Sequence, residues 1–227
     1  MVIKVYVDLG SQPCRSLVVF LKHSTIPHEI VEIDLGKGDQ KKPEFAAINP
    51  MMRVPAMKDG DFCLSEAIAI FRYLTTKFPN AFPDHWYPAD LCRRAKVDEY
   101  LSYHHQGVRQ PIDTVFMTEV LTPMFTGQPV SPEKVKEEEK EMRKALTDFE
   151  RVFLAGKPFI IGDEVSFADI MFVSEMIQNT VSGRHVTEGN DNLKAYVDRV
   201  TDKLNPIFNE VFDEIFKWRE QYLSNKK

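Results

Sequence analysis

The chain has 227 residues, of which 43% are hydrophobic, so it can bury one large core or two modest ones. Its 29 basic and 34 acidic residues leave a formal net charge of -5, which provides no basic surface for a phosphate backbone and argues against nucleic acid as a partner. The cysteines Cys14, Cys63 and Cys92 are odd in number and lack metal-ligand spacing. This argues against a disulfide framework or a metal site and favours a reducing compartment.

The opening residues and the hydropathy pattern bear on localisation. Residues 1–8 alternate polar and apolar side chains and are interrupted by charge before an apolar signal region could form. The sequence also has no apolar run of about 18 residues, the length that a membrane-spanning helix needs. We therefore expect a soluble, cytoplasmic protein with no membrane partner.

The first 78 residues alternate between strand and helix patterns. Before residue 50 they predict a strand over 3–9, a helix over about 15–23, a strand over 29–34 and a weak helical turn ending at Asn49-Pro50. After it they predict strands over 54–57 and 62–64, joined by a turn that contains Asp59-Gly60, and a helix over 65–77. The order is βαβ followed by ββα, which indicates an α+β domain.

The composition changes after residue 78. Residues 79–90 contain three prolines and show no periodicity, which predicts an interdomain linker. From residue 91 to residue 227 the long segments have helical spacing, and none alternates convincingly as a strand does. The predicted organisation is an α+β domain over 1–78, a linker over 79–90 and an all-α domain over 91–227.

Two patterns in the helical part have structural explanations. The charged stretch 133–144 predicts a solvated helix face with ion pairs between residues i and i+4. Ser166 and Asp169 have the spacing of a capping box, and Val165 and Ile170 are placed as its hydrophobic staple. The helix that begins there is apolar almost all round, which predicts a position at the centre of the domain. We assign Ser166 and Asp169 to folding.

Seven ordered segments resemble those of the theta-class glutathione transferases. They are Asp8-Leu-Gly-Ser-Gln-Pro-Cys-Arg15, Ile48-Asn-Pro50, Val54-Pro-Ala56, Lys58-Asp-Gly-Asp-Phe62, Ser65-Glu66, Asp84-His-Trp-Tyr-Pro-Ala-Asp-Leu91 and Val97-Asp-Glu-Tyr-Leu101. The match extends in weaker form to the capping box and so covers most of the chain. It implies a thioredoxin-like domain that binds glutathione, and an all-α domain that carries the electrophile site.

The resemblance implies that Ser11 is the catalytic residue. Ser11 lies where a hydroxyl donor and the positive end of a helix dipole can both stabilise the glutathione thiolate. A simpler reading makes Ser11 only an N-cap residue. Tyr6 is a second hydroxyl on the preceding strand, where packing is the expected role. Cys14 follows Ser11 as in a redox C-x-x-C motif whose first cysteine is serine, so we expect a buried, inert thiol.

The other glutathione-binding residues that the resemblance implies are Gln40, Lys41, Arg53, Val54, Pro55, Glu66 and Ala67. The Val54–Pro55 bond is expected to be cis, exposing the Val54 backbone to the cysteinyl part of glutathione. Glu66 would meet the γ-glutamyl end, with favourable interaction with a helix dipole as its alternative role. Three positions depart from the family pattern: Gln40 replaces histidine, Arg53 replaces lysine, and Ala67 replaces serine.

The electrophile is expected to contact the first long helix of the all-α domain. The residues proposed to line its site are His104, His105, Arg109, Phe116 and Met117. Arg109 falls where some theta enzymes carry an arginine near the sulfur, and an interdomain salt bridge is its alternative role. Ordinary helix positions are the alternative for both histidines. Because the sequence ends at Lys227, whereas long theta enzymes extend further and cover the site, we expect a more open pocket.

The resemblance implies a homodimeric enzyme that uses glutathione as co-substrate, needs no cofactor and holds no metal. Its thiolate would attack small hydrophobic electrophiles such as alkyl or aryl halides and epoxides, with reduction of organic hydroperoxides as a side activity and detoxification as the role. A non-catalytic ligand-binding or scaffold protein of the same fold is the alternative, against which the set Ser11, Val54, Pro55 and Glu66 argues. A zeta-type isomerase is disfavoured because SQPCR replaces that class's serine-serine-cysteine pattern.

Overall fold

The computed structural model describes residues 2–225, so the Lys227 end on which the expected open pocket depends lies outside the described residues. The chain forms two compact units. The first runs through Trp86 and also takes in Pro206–Phe212. The second comprises Tyr87–Asn205 and the chain from Asp213 onward.

The first unit has a mixed four-stranded sheet and three helices, and it also includes Pro206–Phe212. Its elements are β1 (Ile3–Val7), α1 (Gln12–Lys22), β2 (His28–Glu32), α2 (Pro43–Ala46), β3 (Ala56–Asp59), β4 (Phe62–Ser65) and α3 (Ala67–Lys77). The strand order is β2-β1-β3-β4. β1 is parallel to β2 and antiparallel to β3, and β3 is antiparallel to β4. The predicted thioredoxin-like βαβ-ββα order is confirmed.

Two boundaries of the first βα connection differ from the predicted ones. β1 ends at Val7 rather than residue 9, because the Asp8 carboxylate accepts a hydrogen bond from the Gly10 N–H and turns the chain (2.7 Å). α1 begins at Gln12 rather than near Arg15. Pro13 is compatible with this early start, since a proline in the first helical turn forfeits no intrahelical hydrogen bond.

The core of the first unit is built on α1. Phe20 is fully buried, and its ring centroid lies 4.9 Å from that of Phe71 on α3 and 5.5 Å from that of Trp86. Trp86 therefore anchors part of the proline-rich segment 79–90 to this core. The guanidinium of the fully buried Arg15 lies 5.0 Å from the centroid of Phe212, which packs cation against ring.

The second unit is all helical, as predicted. Its helices are α4 (Leu91–His104), α5 (Gln110–Phe116), α6 (Thr122–Thr126), α7 (Pro132–Phe149), α8 (Phe167–Asn179), α9 (Asp191–Leu204) and α10 (Ile207–Asn225), the last of which starts in the first unit. Residues 2–225 include no helix with the length and apolar character needed to cross a bilayer.

Helices α4, α5 and α6 follow one another through π-helical turns at His105–Arg109 and Met117–Leu121. Each turn precedes a proline, Pro111 or Pro123, near the start of the next helix. A proline lacks the N–H that an α-helical carbonyl four residues earlier would accept, and a π turn shifts the hydrogen bonding around that gap. For Pro123 that carbonyl belongs to Glu119, and it accepts a hydrogen bond from the Tyr222 hydroxyl (3.3 Å).

Helix α8 lies at the centre of the second unit, as its all-round apolar sequence predicted. The predicted capping box is present at its start. The N–H and the hydroxyl of Ser166 both donate to Oδ2 of Asp169, each at 2.7 Å. Phe172 stacks on Phe149 of α7 with ring centroids 3.6 Å apart. Helix α7 also carries the predicted i to i+4 pairs, including Arg143 to Glu139 at 2.6 Å.

Candidate functional site

The turn from β1 into α1 holds Ser11 at the helix N-cap position, with φ -92° and ψ 128°. Its N–H donates to the Asp8 carbonyl at 3.0 Å, and its carbonyl accepts from the Arg15 N–H at 3.1 Å. The Ser11 hydroxyl, however, accepts no capping hydrogen bond from the helix backbone. The backbone of Ser11 therefore starts the helix while its half-buried hydroxyl remains available for other partners.

Cys14 lies inside α1 and is fully buried, as expected. Burial raises the pKa of its thiol to about 12, although hydrogen bonds with the Asp8 backbone and the Ser11 side chain lower it. The thiol is therefore protonated at neutral pH. A serine hydroxyl can both accept a hydrogen bond and donate its own proton to another group.

The strand register brings three of the predicted site segments to one end of the sheet. Tyr6 of β1 is opposite Ala56 of β3, which in turn is opposite Ser65 of β4. The residues that follow β1, precede β3 and follow β4 therefore emerge together. These residues include Ser11, the Val54–Pro55 pair and Glu66. Tyr6 itself packs edge to face against Phe45 with ring centroids 6.0 Å apart, in agreement with the expected packing role.

The peptide bond between Val54 and Pro55 is cis, as the resemblance implied. Val54 precedes β3, and its N–H and C=O enter none of the hydrogen bonds found among residues 2–225. The segment before it is held by Asn49, which is 2% exposed and whose side-chain amide donates to the Arg53 carbonyl at 2.7 Å. Arg53 itself is exposed. Asn49 belongs to the Ile48-Asn-Pro50 segment of the family resemblance, but the sequence did not predict that its side chain holds this loop.

Glu66 is the N-cap residue of α3 rather than a member of its first turn, and its side chain is exposed. Its φ of 70° is in the region that favours glycine. Such a backbone conformation costs roughly 1–3 kcal/mol in other residues and tends to occur at functional sites. The buried Ala67 follows as the first residue of α3, so Glu66 directly precedes the N–H groups that have no acceptor within the helix.

Gln40 and Lys41 lie on a short 3₁₀ turn, Asp39–Lys41, in the loop after β2. Lys41 is exposed. The side-chain carbonyl oxygen of Gln40 is buried and has no hydrogen-bond donor in the described part of the chain. A buried acceptor without a donor is unfavourable, and a bound ligand that supplies an N–H would relieve it.

In the second unit, a cavity of about 370 Å³ brings together three of the five residues proposed to line the electrophile site. It is lined by His105, Arg109, Gln110, Asp113, Thr114, Met117 and Thr118. Phe116 is not among the lining residues. It is 4% exposed, and its ring meets that of Trp218 edge to face at 5.7 Å.

The expected lining position of His104 is wrong, because its side chain is fully buried in the helical core. Its Nδ1 lies 3.1 Å from the Tyr100 hydroxyl, and its Nε2 lies 3.6 Å from Oε1 of Glu175. Arg109 also donates a hydrogen bond to Oε1 of Glu175. This ion pair of Arg109 is therefore internal to the second unit.

Comparison with known proteins identifies both units. The family model described as "Glutathione S-transferase, N-terminal domain" matches residues 1–76, and that described as "Glutathione S-transferase, C-terminal domain" matches residues 112–203. Glutathione S-transferase theta-1 of Bos taurus is 38% identical over 219 residues, which cover 96% of this chain and 90% of the relative.

Solved structures give the same result. Human glutathione-S-transferase T1-1 in its apo form superposes with a TM-score of 0.90 at 38% identity, covering 96% of this chain and 91% of that one. A human theta-class enzyme in complex with the glutathione conjugate of 1-menaphthyl sulfate gives a TM-score of 0.91 at 37% identity, covering 100% and 92%. With similarity of this extent in both sequence and structure, the chain belongs to the theta class of the glutathione S-transferase family.

Proposed function

We propose that this glutathione transferase ionises the thiol of glutathione beside Ser11 and that the resulting thiolate attacks small hydrophobic electrophiles. The proposal depends most on one observation: the Ser11 hydroxyl is at the start of α1 and is not used to cap the helix backbone. It can therefore donate to a sulfur at the position where the positive end of the helix dipole also acts. Both interactions favour the anion over the neutral thiol.

The energetic demand on this site is modest. A free thiol has a pKa of about 8.5, so it is only a few per cent ionised at pH 7. Lowering that pKa by about two units requires roughly 2.7 kcal/mol of preferential interaction with the thiolate. A hydrogen bond to a charged group contributes about 1.5–3 kcal/mol, so the Ser11 hydroxyl and the helix start together are sufficient.

Glutathione would extend across the end of the sheet. The Val54 backbone would pair with the cysteinyl unit, since its polar groups have no partner among the described residues. The Glu66 carboxylate would meet the γ-glutamyl amine, and the backbone N–H groups at the start of α3 would receive the neighbouring carboxylate. Gln40, Lys41 and Arg53 would hold the glycyl carboxylate, with Arg53 able to do so bidentately.

The electrophile would contact the cavity that includes His105, Arg109 and Met117. Met117 is 43% exposed and offers a flexible apolar surface for small substrates. Arg109 offers a positive charge for a leaving halide or a developing alkoxide. We expect alkyl and aryl halides and epoxides as substrates, and reduction of organic hydroperoxides as a side reaction. We further propose a cytoplasmic homodimer with a detoxifying role, whose oligomeric state light scattering can measure.

The experiment that tests this function is a steady-state panel of glutathione with a halide, an epoxide and a hydroperoxide. Ser11→Ala should keep the fold and reduce kcat/KM on the order of a hundredfold, the usual loss for one preorganised donor. Ser24→Ala is the matched control, because Ser24 follows the other end of α1 and its hydroxyl donates to the Leu21 carbonyl (2.8 Å). We expect wild-type rates from that variant.

An undiminished rate in Ser11→Ala would reject the assignment of Ser11. A wild-type protein that binds glutathione but turns over none of the three electrophiles would favour the non-catalytic ligand-binding alternative. A glutathione titration that shows no binding at millimolar concentration would reject the whole assignment.

A further inference from the structure

Asp8, the residue that follows β1, connects two loops of the glutathione-binding unit. Its Oδ1 accepts a hydrogen bond from the Gly10 N–H at 2.7 Å, and its Oδ2 accepts one from the Leu35 N–H at 2.9 Å. Its carbonyl accepts the N–H of Ser11 at 3.0 Å. One residue therefore fixes the turn that presents the catalytic hydroxyl and binds the loop that follows β2.

The carboxylate is suited to this connection because each of its two oxygens serves a different loop. A side-chain amide in the same place has one oxygen and an NH₂ group, which cannot accept a hydrogen bond from a second N–H. Gly10 is matched to the same geometry. A Cβ added at Gly10 would lie 2.9 Å from Oδ1 of Asp8, closer than side-chain atoms normally approach.

The loop bound by Asp8 is internally braced and leads directly to Gln40 and Lys41. The Asp34 N–H donates to Oδ2 of Asp39 at 3.1 Å, and the Asp39 N–H donates to the Asp34 carbonyl at 3.1 Å. The hydrogen bond from Leu35 to Asp8 anchors this braced loop to the β1–α1 turn. A shift at Leu35 would therefore be passed on to the 3₁₀ turn that carries Gln40 and Lys41.

We propose that Asp8 is a positioning residue that sets the separation between Ser11 and the Gln40–Lys41 segment, so that the thiol and the glycyl carboxylate of one glutathione molecule are held in register. The inference rests on the proposed function, since it assumes that glutathione reaches from Ser11 to Gln40. Asp8 need not touch the substrate, and the effect of its carboxylate is transmitted through the backbone N–H groups of Gly10 and Leu35.

The direction in which Asp8→Asn shifts the apparent pKa of the bound thiol distinguishes a positioning role of Asp8 from a purely electrostatic one. A carboxylate near a thiolate repels it, so neutralising Asp8 without moving any atom would lower the apparent pKa of the bound thiol and favour activity. If Asp8 positions the two loops, Asp8→Asn has the opposite effect. It loses one of the two hydrogen bonds, loosens the site, raises KM for glutathione and raises the apparent pKa.

The test compares Asp8→Asn with Asp61→Asn, which removes one exposed carboxylate from the β3–β4 turn of the same unit. We expect Asp8→Asn to raise KM for glutathione about tenfold, the usual scale for a lost hydrogen bond, and to shift the kcat/KM profile to higher pH. The control should match wild type. An unchanged KM and profile, or a shift to lower pH, would overturn the proposal.

Amide hydrogen exchange of the free protein provides a measurement that does not depend on catalysis. Asp8→Asn should accelerate exchange at Gly10 or Leu35 while the amides of α3 keep their wild-type rates. Unchanged exchange at both residues would overturn the bridging role. If wild-type protein lacks transferase activity but the exchange rates change as expected, the proposed function fails and the bridge between the two loops stands.

Discussion

Arg109 donates a hydrogen bond to Glu175, and the two side chains form an ion pair in which the glutamate is 1% exposed and the arginine 24%. Burial alone would raise the pKa of Glu175, but the charge of Arg109 and contact with His104 bring it below its usual value. Burial lowers the pKa of His104 in turn, so its imidazole is neutral at pH 7. The buried carboxylate is therefore charged, and its compensating charge lies on Arg109, which lines the cavity of about 370 Å³ in the second unit.

We expect this pair to show strong coupling in unfolding experiments. Arg109→Ala leaves a charge uncompensated in the core and should lower the free energy of unfolding by about 3–5 kcal/mol. Glu175→Ala also breaks the pair, but Arg109 is partly exposed and also lies 3.9 Å from Asp113, so about 3 kcal/mol is expected. The double variant should be less destabilised than the sum of the two, as measured by urea unfolding of all three variants.

The exposed pair of Lys194 and Asp198 on α9 provides the control, since its side chains are 61% and 55% exposed. Its removal should leave the urea midpoint unchanged within experimental scatter, because exposed pairs are screened by water and salt. Strict additivity of the Arg109 and Glu175 variants would show that the ion pair is not energetically coupled.

The features that the sequence predicted are those with local causes. The capping box of Ser166 and Asp169 spans four residues, and the alternation in β1 needs only five, so a short window contains all of the information. The partner of Arg109 could not be found in this way, because Glu175 lies 66 residues later and nothing in the spacing connects them. The buried position of His104 was missed for the same reason.

The candidate site likewise contains features with local causes, which the sequence predicted, and features that depend on contacts between distant residues, which it did not. Ser11 was identified from a motif of consecutive residues, whereas the role of Asp8 depends on a hydrogen bond across 27 residues to Leu35. Its contact with Gly10 was the detectable part, since an aspartate two residues before a glycine is a common turn signal. The π turns before Pro111 and Pro123 were also predictable in principle, because a proline in a helical pattern requires a local change in hydrogen bonding.

Asp169 is the second site where we expect a large loss of stability. Its Oδ1 accepts hydrogen bonds from the Ile160 N–H and the Tyr196 hydroxyl, both at 2.9 Å, in addition to the two from Ser166. Asp169→Ala leaves buried donors without acceptors, each at a cost of about 1–3 kcal/mol, so about 3–5 kcal/mol in total is expected. Thermal and urea unfolding would both report it.

Tyr196→Phe is the graded control for that prediction. It removes one of the donors to Asp169 and leaves the capping box in place, so a loss of about 1 kcal/mol is expected. If Asp169→Ala were no more destabilising than Tyr196→Phe, the hydrogen bonds that Asp169 accepts from Ser166 and Ile160 would contribute nothing measurable to stability.

The hairpin carboxylate of Asp59 should make part of the stability depend on pH. Hydrogen bonds from Lys77 and then from Tyr73 (2.6 Å) hold its pKa below the usual value. A carboxyl group whose pKa is lower in the folded state stabilises the fold above its unfolded pKa of about 3.9, and this contribution disappears as pH falls through the folded value. Wild type should therefore exceed Asp59→Asn in stability at pH 7 and converge with it below about pH 4.

Urea unfolding at a series of pH values measures this convergence. Because Lys77 is 41% exposed, added salt should reduce the difference between the two proteins at pH 7. Tyr73→Phe, which removes the second donor, should fall between them. A constant difference from pH 7 to pH 3 would mean that Asp59 stabilises the hairpin without titrating.

Arg53 is expected to affect glutathione binding more than the chemical step. It is exposed next to Val54 and would contact the glycyl carboxylate, which is remote from the sulfur and keeps its charge throughout the reaction. An interaction that is equally strong in the ground state and the transition state lowers KM without changing kcat. Arg53→Ala should thus raise KM for glutathione roughly tenfold at nearly constant kcat, and Arg53→Lys should lose less because it retains the charge but not the bidentate geometry.

Lys4→Ala is the charge-matched control for Arg53→Ala, because Lys4 pairs with Glu29 across β1 and β2 at 3.4 Å and belongs to no proposed contact with glutathione. Its KM should equal that of wild type at every ionic strength. The KM of all three proteins that keep a cation at position 53, wild type, Lys4→Ala and Arg53→Lys, should rise with salt. A fall in kcat with an unchanged KM in Arg53→Ala would place the guanidinium at the reacting sulfur instead, where its interaction with the thiolate strengthens in the transition state.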